Sequence, residues 1–318
     1  MAGKVKVLVT GGAGFIGSHV TEAYLNQGYD VTVVDDLSTG RREHLPSAAS
    51  FVHADIAAPE VRRLLANGGF TILNHHAAQI DVRVSVSDPA RDARINLLGL
   101  LNLLEGAREG KVERIVFASS GGVVYGESNA LPHAESAPKL PVSPYGVTKL
   151  ASEFYLAAYA QMYGIKAVAL RYGNVYGPRQ NPHGEAGVVA IFCARIRRGQ
   201  DLTVYGDGLQ TRDYVNAADV ARANVAASTC ALAAPHSIDA RAFNVGTGRE
   251  TSVLDLARAL IKVSGKDISI AHAPARAGEL QRSCVAIAKA GKDLGWRPSM
   301  DLEDGLRRTY EWTAEVMA

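Results

Sequence analysis

Residues 5–19 read Val5-Lys6-Val7-Leu8-Val9-Thr10-Gly11-Gly12-Ala13-Gly14-Phe15-Ile16-Gly17-Ser18-His19. The apolar run at the start is typical of a parallel strand that is buried on both faces. Three glycines follow it, Gly11, Gly14 and Gly17, and a helical pattern then begins. Such glycines allow a tight turn, a close approach of the backbone to a pyrophosphate, and close packing of helix on strand. The helix N-terminus adds unpaired N–H groups and a partial positive charge. The stretch therefore predicts a cradle for a dinucleotide.

A second Val-rich strand, predicted over residues 30–34, is followed directly by Asp35. An acid about twenty residues after the middle glycine can accept hydrogen bonds from the hydroxyls of the adenosine ribose. Asp35 strengthens the prediction of a dinucleotide site, because three glycines alone also occur in ordinary turns. Asp35 and Asp36 place negative charge where NADP would carry its 2′-phosphate, with no arginine directly beside them. We therefore expect NAD as the cofactor.

Length and composition bound the class of protein. The chain has 318 residues, of which 47% are hydrophobic and 21% charged, as in ordinary soluble proteins. Its net charge of +2 gives no basic field for nucleic acid or for an anionic membrane. No run approaches the ~18 apolar residues that a membrane span needs. Cys193, Cys230 and Cys284 are far apart, which fits reduced thiols in a cytoplasm better than disulfides or a metal site.

Strands and helices alternate along the first half of the chain. Further strands are predicted over 51–56, 70–76, 114–118 and 165–171, and long helices over about 89–108 and 145–163. This order predicts an α/β fold with a doubly wound, parallel Rossmann sheet, whose ligands lie beyond the carboxyl ends of the strands. We assign residues 1–173 to a NAD-binding domain and 174–318 mainly to a smaller, discontinuous α/β substrate lobe. A helix over about 217–230 is expected to return to the sheet, and 242–245 to add a strand.

Tyr145-Gly146-Val147-Thr148-Lys149 is the second decisive element. Residues four apart lie on one face of a helix, so the phenol of Tyr145 and the ammonium of Lys149 point the same way. A free phenol has a pKa near 10, which is too high for a base at neutral pH. A cation about 4 Å away, at an effective dielectric constant near 20, stabilises the phenolate by roughly 4 kcal/mol. The pair therefore predicts a catalytic base and the cation that activates it.

With these motifs in place, the chain resembles the extended short-chain dehydrogenase/reductases. Within them it resembles the NAD-dependent epimerase/dehydratase family, most closely the 4-epimerases of UDP-glucose. The resemblance runs nearly end to end. The matching motifs are TGGAGFIGSH (10–19), VVDDLSTG (33–40), Asp55-Ile56, HHAAQ (75–79), SSGGVVYG (119–126), SPYGVTK (143–149), LRYGNVYGPRQ (170–180), TRDYV (211–215) and LGWRP (294–298).

The resemblance implies which residues hold the two ligands. Those that would bind NAD are Gly11, Gly14, Phe15, Ile16, Gly17, Asp35, Asp36, Leu37, Ser38, Gly40, Asp55, Ile56, Ala77, Ala78, Gln79, Asn96 and Lys149. Those that would bind the UDP-sugar are Ser120, Tyr145, Asn174, Val188, Arg212, Arg276, Glu279 and Ser283. Two arginines suit a pyrophosphate, because their planar forks bond its oxygens bidentately.

The resemblance also implies a transient redox reaction. Tyr145 takes the proton of the 4-hydroxyl, Lys149 orients the nicotinamide ribose, and the 4-keto sugar turns over before it is reduced on its other face. Many relatives place the catalytic Ser or Thr four residues before the tyrosine of the YG pair, a position that is Gly121 here. We therefore assign Ser120, one residue further back, and keep Ser119 open. Ser283 corresponds to the position facing the 2-substituent of the sugar.

Alternative functions and a partner follow from the same motifs. Dehydratases of this kind carry Asp-Glu after the catalytic Thr, where this chain has Gly121-Gly122. Epimerases of UDP-glucuronate tend to carry an arginine at the position of Asn181. That activity, and the epimerisation of UDP-N-acetylglucosamine, remain alternatives, and a catalytically inactive NAD-binding protein is a less favoured one.

The resemblance further implies a homodimer whose helices over about 89–108 and 145–163 pair into a four-helix bundle. Leu98, Leu101 and Leu104 are interpreted as core residues.

Overall fold

The computed structural model describes residues 4–128, 130–182, 187–276 and 280–317. The strands are β1 (Lys6–Thr10), β2 (Asp30–Asp35), β3 (Ser50–His53), β4 (Ile72–His75), β5 (Arg114–Ser120), β6 (Lys166–Tyr172), β7 (Asn174–Tyr176), β8 (Leu202–Tyr205), β9 (Thr211–Arg212), β10 (Tyr214–Asn216), β11 (Ala242–Val245), β12 (Thr251–Ser252) and β13 (Ile270–Ala273). The helices are α1 (Phe15–Asn26), α2 (Pro59–Asn67), α3 (Val82–Ser87), α4 (Pro89–Ala93), α5 (Gly99–Glu109), α6 (Pro144–Tyr163), α7 (Val188–Arg197), α8 (Ala217–Thr229), α9 (Val253–Ser264), α10 (Ala288–Asp293) and α11 (Leu302–Met317).

Seven of the described strands form one parallel sheet in the order β11-β6-β5-β4-β1-β2-β3. The strand order reverses between β1 and β4, which is where a doubly wound sheet binds its ligand. Val7, Leu8 and Val9 of β1 are completely buried, as expected for a central strand covered on both faces. The predicted doubly wound parallel sheet is confirmed.

A smaller lobe packs around its own apolar cluster. Helices α7, α9 and α11 supply Phe192, Leu256 and Leu306 to this cluster, and β8 adds Leu202. Short strand pairs, β8 with β13, β7 with β10 and β9 with β12, complete the lobe. The chain returns to the large sheet twice, because α8 packs on α1 and β11 pairs with β6. The division of the chain at residue 173 stays a prediction.

Two details differ from the sequence-based expectations. The strand predicted over 51–56 ends at His53, because Asp55 forms a turn in which its Oδ1 accepts a hydrogen bond from the N–H of Ala57 at 2.8 Å. The helix predicted over 89–108 contains a π-helical turn at Arg94–Leu98. This wider turn shifts the helix face, so residues spaced by three no longer all face the core. As a result Leu104 is buried but Leu98 is 58% exposed, and the interpretation of Leu98 as a core residue is wrong.

Helix α6 has well-defined ends. Ser143 caps it by accepting a hydrogen bond from the N–H of Gly146 at 3.1 Å, and Pro144 occupies its first turn. Gly164 closes it in a left-handed conformation, with φ of 72°. The helix is thus fixed at both ends and presents Tyr145 and Lys149 in its first two turns. In the described part of the chain, no helix combines the length and the apolar character that crossing a membrane requires.

Candidate active site

The glycine turn after β1 is packed so closely that Gly11 and Gly17 leave no room for a side chain. Gly11 has a φ of 67°, and a Cβ atom there would lie 2.5 Å from the backbone nitrogen of Ala77. A Cβ atom on Gly17 would overlap the carbonyl oxygen of Gly11. Gly14 is the N-cap residue of α1 and supplies no side-chain cap, so a ligand could accept hydrogen bonds from the first N–H groups of the helix. These features fit the pyrophosphate of a dinucleotide.

Asp35 is built into the same turn. Its Oδ2 accepts a hydrogen bond from the N–H of Ala13, and its Oδ1 one from the N–H of Leu37, both at 2.9 Å. Burial raises the pKa of this carboxyl group, and the two backbone hydrogen bonds oppose that effect. A carboxylate has about four lone-pair sites, so it can still accept bonds from ribose hydroxyls. Arg42 lies over the ring of Phe51, with 4.6 Å from its Cζ to the ring centroid.

Two hydrogen bonds between the side chain of Asn96 and the backbone of Gln79 order the loop after β4. Asn96 Oδ1 accepts a hydrogen bond from the N–H of Gln79, and Asn96 Nδ2 donates one to the carbonyl oxygen of Gln79, both at 2.9 Å. The small side chains of Ala77 and Ala78 precede Gln79 at the edge where the strand order reverses. These predicted cofactor residues therefore lie together, while Asp55 lies in the turn that follows the edge strand β3.

Lys149 is buried next to Tyr145. Its Nζ atom lies 5.7 Å from the centroid of the Tyr145 ring and 4.8 Å from that of Phe117, and it donates a hydrogen bond to the carbonyl oxygen of Ala118 at 2.8 Å. Burial lowers the pKa of Lys149 to about 8, although the negative charges of Asp92 and Glu153 oppose this shift. A lysine in this state is still mostly cationic at neutral pH and can favour ionisation of the phenol.

The two serines at the end of β5 have different surroundings. Ser119 is buried, and its Oγ donates a hydrogen bond to Glu153 Oε1 at 2.5 Å. Ser120 is less buried, and a methyl group at Gly122 would lie 3.7 Å from its Oγ and 3.9 Å from Asn174 Oδ1. Ser120 and Asn174 therefore border the same space, whereas the Ser119 hydroxyl is used inside the protein.

His75 and His76 are neutral. Burial and the charge of Lys149 lower the pKa of His75 well below its ordinary value and that of His76 to about 3. Nδ1 of His75 shares a hydrogen bond with Thr10 Oγ1 at 2.7 Å, which joins the ends of β4 and β1. In the ranges that the structure describes, no three His, Cys, Asp or Glu residues are placed to hold a metal ion.

Besides Asn174 on β7, the predicted UDP-sugar residues of the small lobe come from three further segments. Arg212 lies on β9, and the N–H of Ser283 donates a hydrogen bond to the carbonyl oxygen of the adjoining Thr211 at 3.2 Å, so Arg212 and Ser283 are close. Val188 begins α7. The exposed Arg276 lies on another loop, where its Cζ is 3.9 Å from the centroid of the Tyr205 ring. Glu279 lies outside the described residues.

Sequence reasoning misses three buried acids that order the site: Asp92, Glu153 and Asp213. Asp213 follows Arg212 and accepts hydrogen bonds from the N–H groups of Thr247 at 2.7 Å and Gly248 at 3.0 Å, which ties β9 to the loop after β11. A signal exists for each acid. Asp213 lies inside the TRDYV motif, Glu153 follows Lys149 by one helical turn, and Asp92 precedes Asn96 by the same spacing.

Comparisons with known proteins show which family the chain is similar to. The model of the NAD dependent epimerase/dehydratase family matches residues 7–246. The UDP-glucose 4-epimerase of Mycolicibacterium smegmatis is 42% identical over 313 residues, which cover 97% of this chain and 98% of that protein. The structure of the Thermotoga maritima UDP-glucose 4-epimerase with UDP-glucose has a TM-score of 0.94 at 42% identity, covering 99% and 100% of the two chains. That of the Thermus thermophilus UDP-glucose 4-epimerase with NAD has a TM-score of 0.90 at 45% identity, covering 98% and 99%.

Proposed function

This chain belongs to the NAD dependent epimerase/dehydratase family, and we propose that it is a UDP-sugar 4-epimerase that interconverts UDP-glucose and UDP-galactose with tightly bound NAD. The observation that carries the proposal is the buried Lys149 ammonium beside Tyr145, in a sheet whose glycine turn and Asp35 fit a dinucleotide. The similarity to UDP-glucose 4-epimerases over nearly the whole chain supports the choice of substrate.

In the proposed reaction, the chain's own residues bind, orient and move one proton. Tyr145 accepts the proton of the 4-hydroxyl and later returns it, and the Lys149 cation stabilises the phenolate in between. Ser120 donates a hydrogen bond to the same oxygen, and Arg212 and Arg276 hold the pyrophosphate while the 4-keto sugar turns. When bound, the nicotinamide supplies the electron acceptor for the oxidation at C4 and returns the electrons in the reduction. Because no redox equivalent leaves the site, the cofactor must stay bound throughout turnover.

Product analysis tests this function. Purified protein is incubated separately with UDP-glucose, UDP-glucuronate and UDP-N-acetylglucosamine, and the products are separated by chromatography. We expect UDP-glucose to give UDP-galactose at the highest rate. Turnover of UDP-glucuronate alone would contradict the proposal, as would a 4-keto-6-deoxy product. The latter is disfavoured because Gly121 and Gly122 carry no acid or base to expel the C6 hydroxyl.

The serine pair gives a prediction that separates catalysis from structure. Ser120→Ala should lower the epimerisation rate by about 10²-fold or more, since removing one donor to a developing oxyanion has effects of that order. Ser119→Ala should instead lower the free energy of unfolding, because Glu153 loses a buried hydrogen bond. Steady-state rates and denaturant unfolding of both variants check this. A larger rate loss for Ser119→Ala would reverse the assignment.

Ser283 gives a prediction about the sugar. We propose that it faces the 2-substituent, and its position beside Arg212 supports this. Ser283→Tyr places a ring where an acetamido group would lie, so activity on UDP-N-acetylglucosamine should fall more steeply than activity on UDP-glucose. Both rates are measured on protein whose unfolding transition matches the parent, because Ser283 is buried. A parallel fall in the two rates would contradict the assignment.

A homodimer and a cytoplasmic location complete the proposal. Val147, Phe154 and Met162 are each more than half exposed and form an apolar stripe along α6, with Leu98 exposed on the neighbouring helix. A second copy of the chain could cover this face in a four-helix bundle. Equilibrium sedimentation that returns the mass of one chain would contradict the dimer.

The three cysteines are free thiols, which supports a reducing compartment, and cell fractionation tests that location.

A further inference from the structure

Asp92 is a completely buried carboxylate whose hydrogen-bond donors are all neutral. Its Oδ1 accepts hydrogen bonds from Gln79 Nε2 at 2.9 Å and Asn96 Nδ2 at 3.0 Å, and its Oδ2 accepts one from Thr148 Oγ1 at 2.8 Å. Among the described residues no lysine or arginine lies within ion-pair distance of it. A buried carboxylate is costly unless its charge is compensated. The three hydrogen bonds satisfy the carboxylate oxygens, but they do not supply an opposite charge.

Glu153, the other acid whose charge acts on Lys149, has its charge compensated by an arginine. Glu153 forms a buried ion pair with Arg171, with 2.6 Å from Oε2 to Nη2, and Arg171 Nε donates further hydrogen bonds to both oxygens of the same carboxylate. Because Arg171 compensates the charge of Glu153, that acid favours the lysine cation less than Asp92 does. Of the two acids whose charge acts on Lys149, Asp92 is therefore the one that no arginine or lysine pairs with in the described part of the chain.

The charged and titratable groups around Lys149 come from four elements. His75 at the end of β4 and His76 directly after it are neutral, and the charge of Lys149 itself helps to keep their pKa values low. Helix α6 contributes Tyr145 and Glu153, β6 contributes Arg171 as the partner of Glu153, and α4 contributes Asp92. Of these, Asp92 has the largest effect in favour of the lysine cation. Thr148, which Asp92 holds, directly precedes Lys149 in the chain.

We propose that Asp92 is a positioning residue of the proposed reaction. Its hydrogen bond fixes Thr148, and its negative charge keeps the side chain of the next residue, Lys149, charged. The inference rests on the proposed function, because it assigns Asp92 a role through the cation that activates the base. Burial by itself favours the neutral amine, and a neutral amine would no longer stabilise the phenolate of Tyr145. The net charge of Asp92 offsets that cost of burial.

Asp92→Asn tests the charge, and Asp88→Asn is the matched control. Asp88 caps the same helix by accepting a hydrogen bond from the N–H of Arg91 at 2.9 Å, and asparagine caps a helix equally well. The protein is labelled with ¹³C-lysine, and the Cε resonance of Lys149, assigned with Lys149→Met, is followed against pH by NMR. We expect the pKa of Lys149 to fall in Asp92→Asn by on the order of one unit or more and to stay unchanged in Asp88→Asn. An unchanged pKa in Asp92→Asn overturns the proposal.

The pKa of the Tyr145 phenol is a second measurement. It should change in opposite directions if Asp92 acts through Lys149 and if the lost charge acts directly on the phenol. Removing a nearby negative charge should by itself lower the pKa of the phenol. If Lys149 loses its proton instead, the phenol loses its cation and its pKa rises. The near-ultraviolet absorbance of tyrosinate, measured against Tyr145→Phe, separates the two cases, and a fall of the Tyr145 pKa in Asp92→Asn counts against the proposal. Both titrations need no substrate, so they decide the role of Asp92 even where UDP-glucose is not turned over.

The rate profile and a second variant complete the test. The alkaline limb of kcat/KM should move to lower pH in Asp92→Asn by the same shift that the NMR titration shows. A purely structural role would instead lower the rate equally at every pH. In Asp92→Asn the NH₂ group of the new side chain could be placed against the amide donors of Gln79 and Asn96, which would destabilise the fold. Asp92→Ser is therefore a smaller uncharged replacement if the first variant does not fold. It should give the same shift of the Lys149 pKa, and an unchanged value there overturns the proposal equally.

Discussion

Replacing Tyr145 with phenylalanine should lower the rate of the proposed epimerisation by roughly 10²–10⁴-fold or more, which is the usual contribution of a general base. The variant keeps the ring beside the Lys149 cation, where Nζ lies 5.7 Å from the ring centroid, and removes only the ionisable hydroxyl. We therefore expect the bound NAD and the free energy of unfolding to change little. Initial rates with UDP-glucose, together with the nucleotide released on denaturation, measure the two effects separately.

Tyr155→Phe is the matched control for that variant. Tyr155 lies on the same helix and is 40% exposed, so its hydroxyl is outside the buried site. Its removal should leave the rate near that of the parent protein. Near-normal turnover in Tyr145→Phe would show that another group takes the proton. Loss of NAD from that variant would show instead that the phenol mainly holds the cofactor.

The main architecture could be predicted from the sequence because its signals are local. Val7–Val9, the glycines that follow and the acid at Asp35 are each placed by a pattern of a few residues, and the order of such units specifies the parallel sheet. The facing of Tyr145 and Lys149 also follows from helical spacing alone. Periodicity fails at the helix over 89–109, since an extra residue in the π-helical turn exposes Leu98.

The surroundings of the site could not be predicted because they depend on contacts between distant segments. Ser119 meets Glu153, which is 34 positions away in the chain, and Asp92 meets Thr148 across 56 positions. A local pattern gives no register between such segments. Composition also hides these acids, because a buried carboxylate and an exposed one look alike in sequence, and only the packed structure shows which has a partner.

Glu153→Gln should destabilise the protein by about 3–5 kcal/mol, the usual effect of removing one partner of a buried ion pair. Arg171 is completely buried, and Glu153 accepts hydrogen bonds from both its Nε and its Nη2. Asp239 is the other acid that contacts Arg171, at 2.8 Å, but its side chain is 27% exposed, so water screens part of its charge. The neutral amide of glutamine therefore leaves a buried guanidinium with only partial compensation.

Denaturant unfolding of Glu153→Gln measures this effect, and Glu303→Gln is the control. The Glu303 side chain is 42% exposed and pairs with Lys262, which is 71% exposed, so solvent already screens that pair and its loss should change stability little. A second arm replaces both members of the buried pair, Glu153→Leu with Arg171→Met. Because an apolar pair of similar volume needs no compensating charge, the double variant should be more stable than Glu153→Gln alone. If the double variant were the less stable protein, the contacts of Arg171 with Tyr125 and the carbonyl oxygen of Glu135 would be the main stabilising interactions, and the ion pair would be secondary.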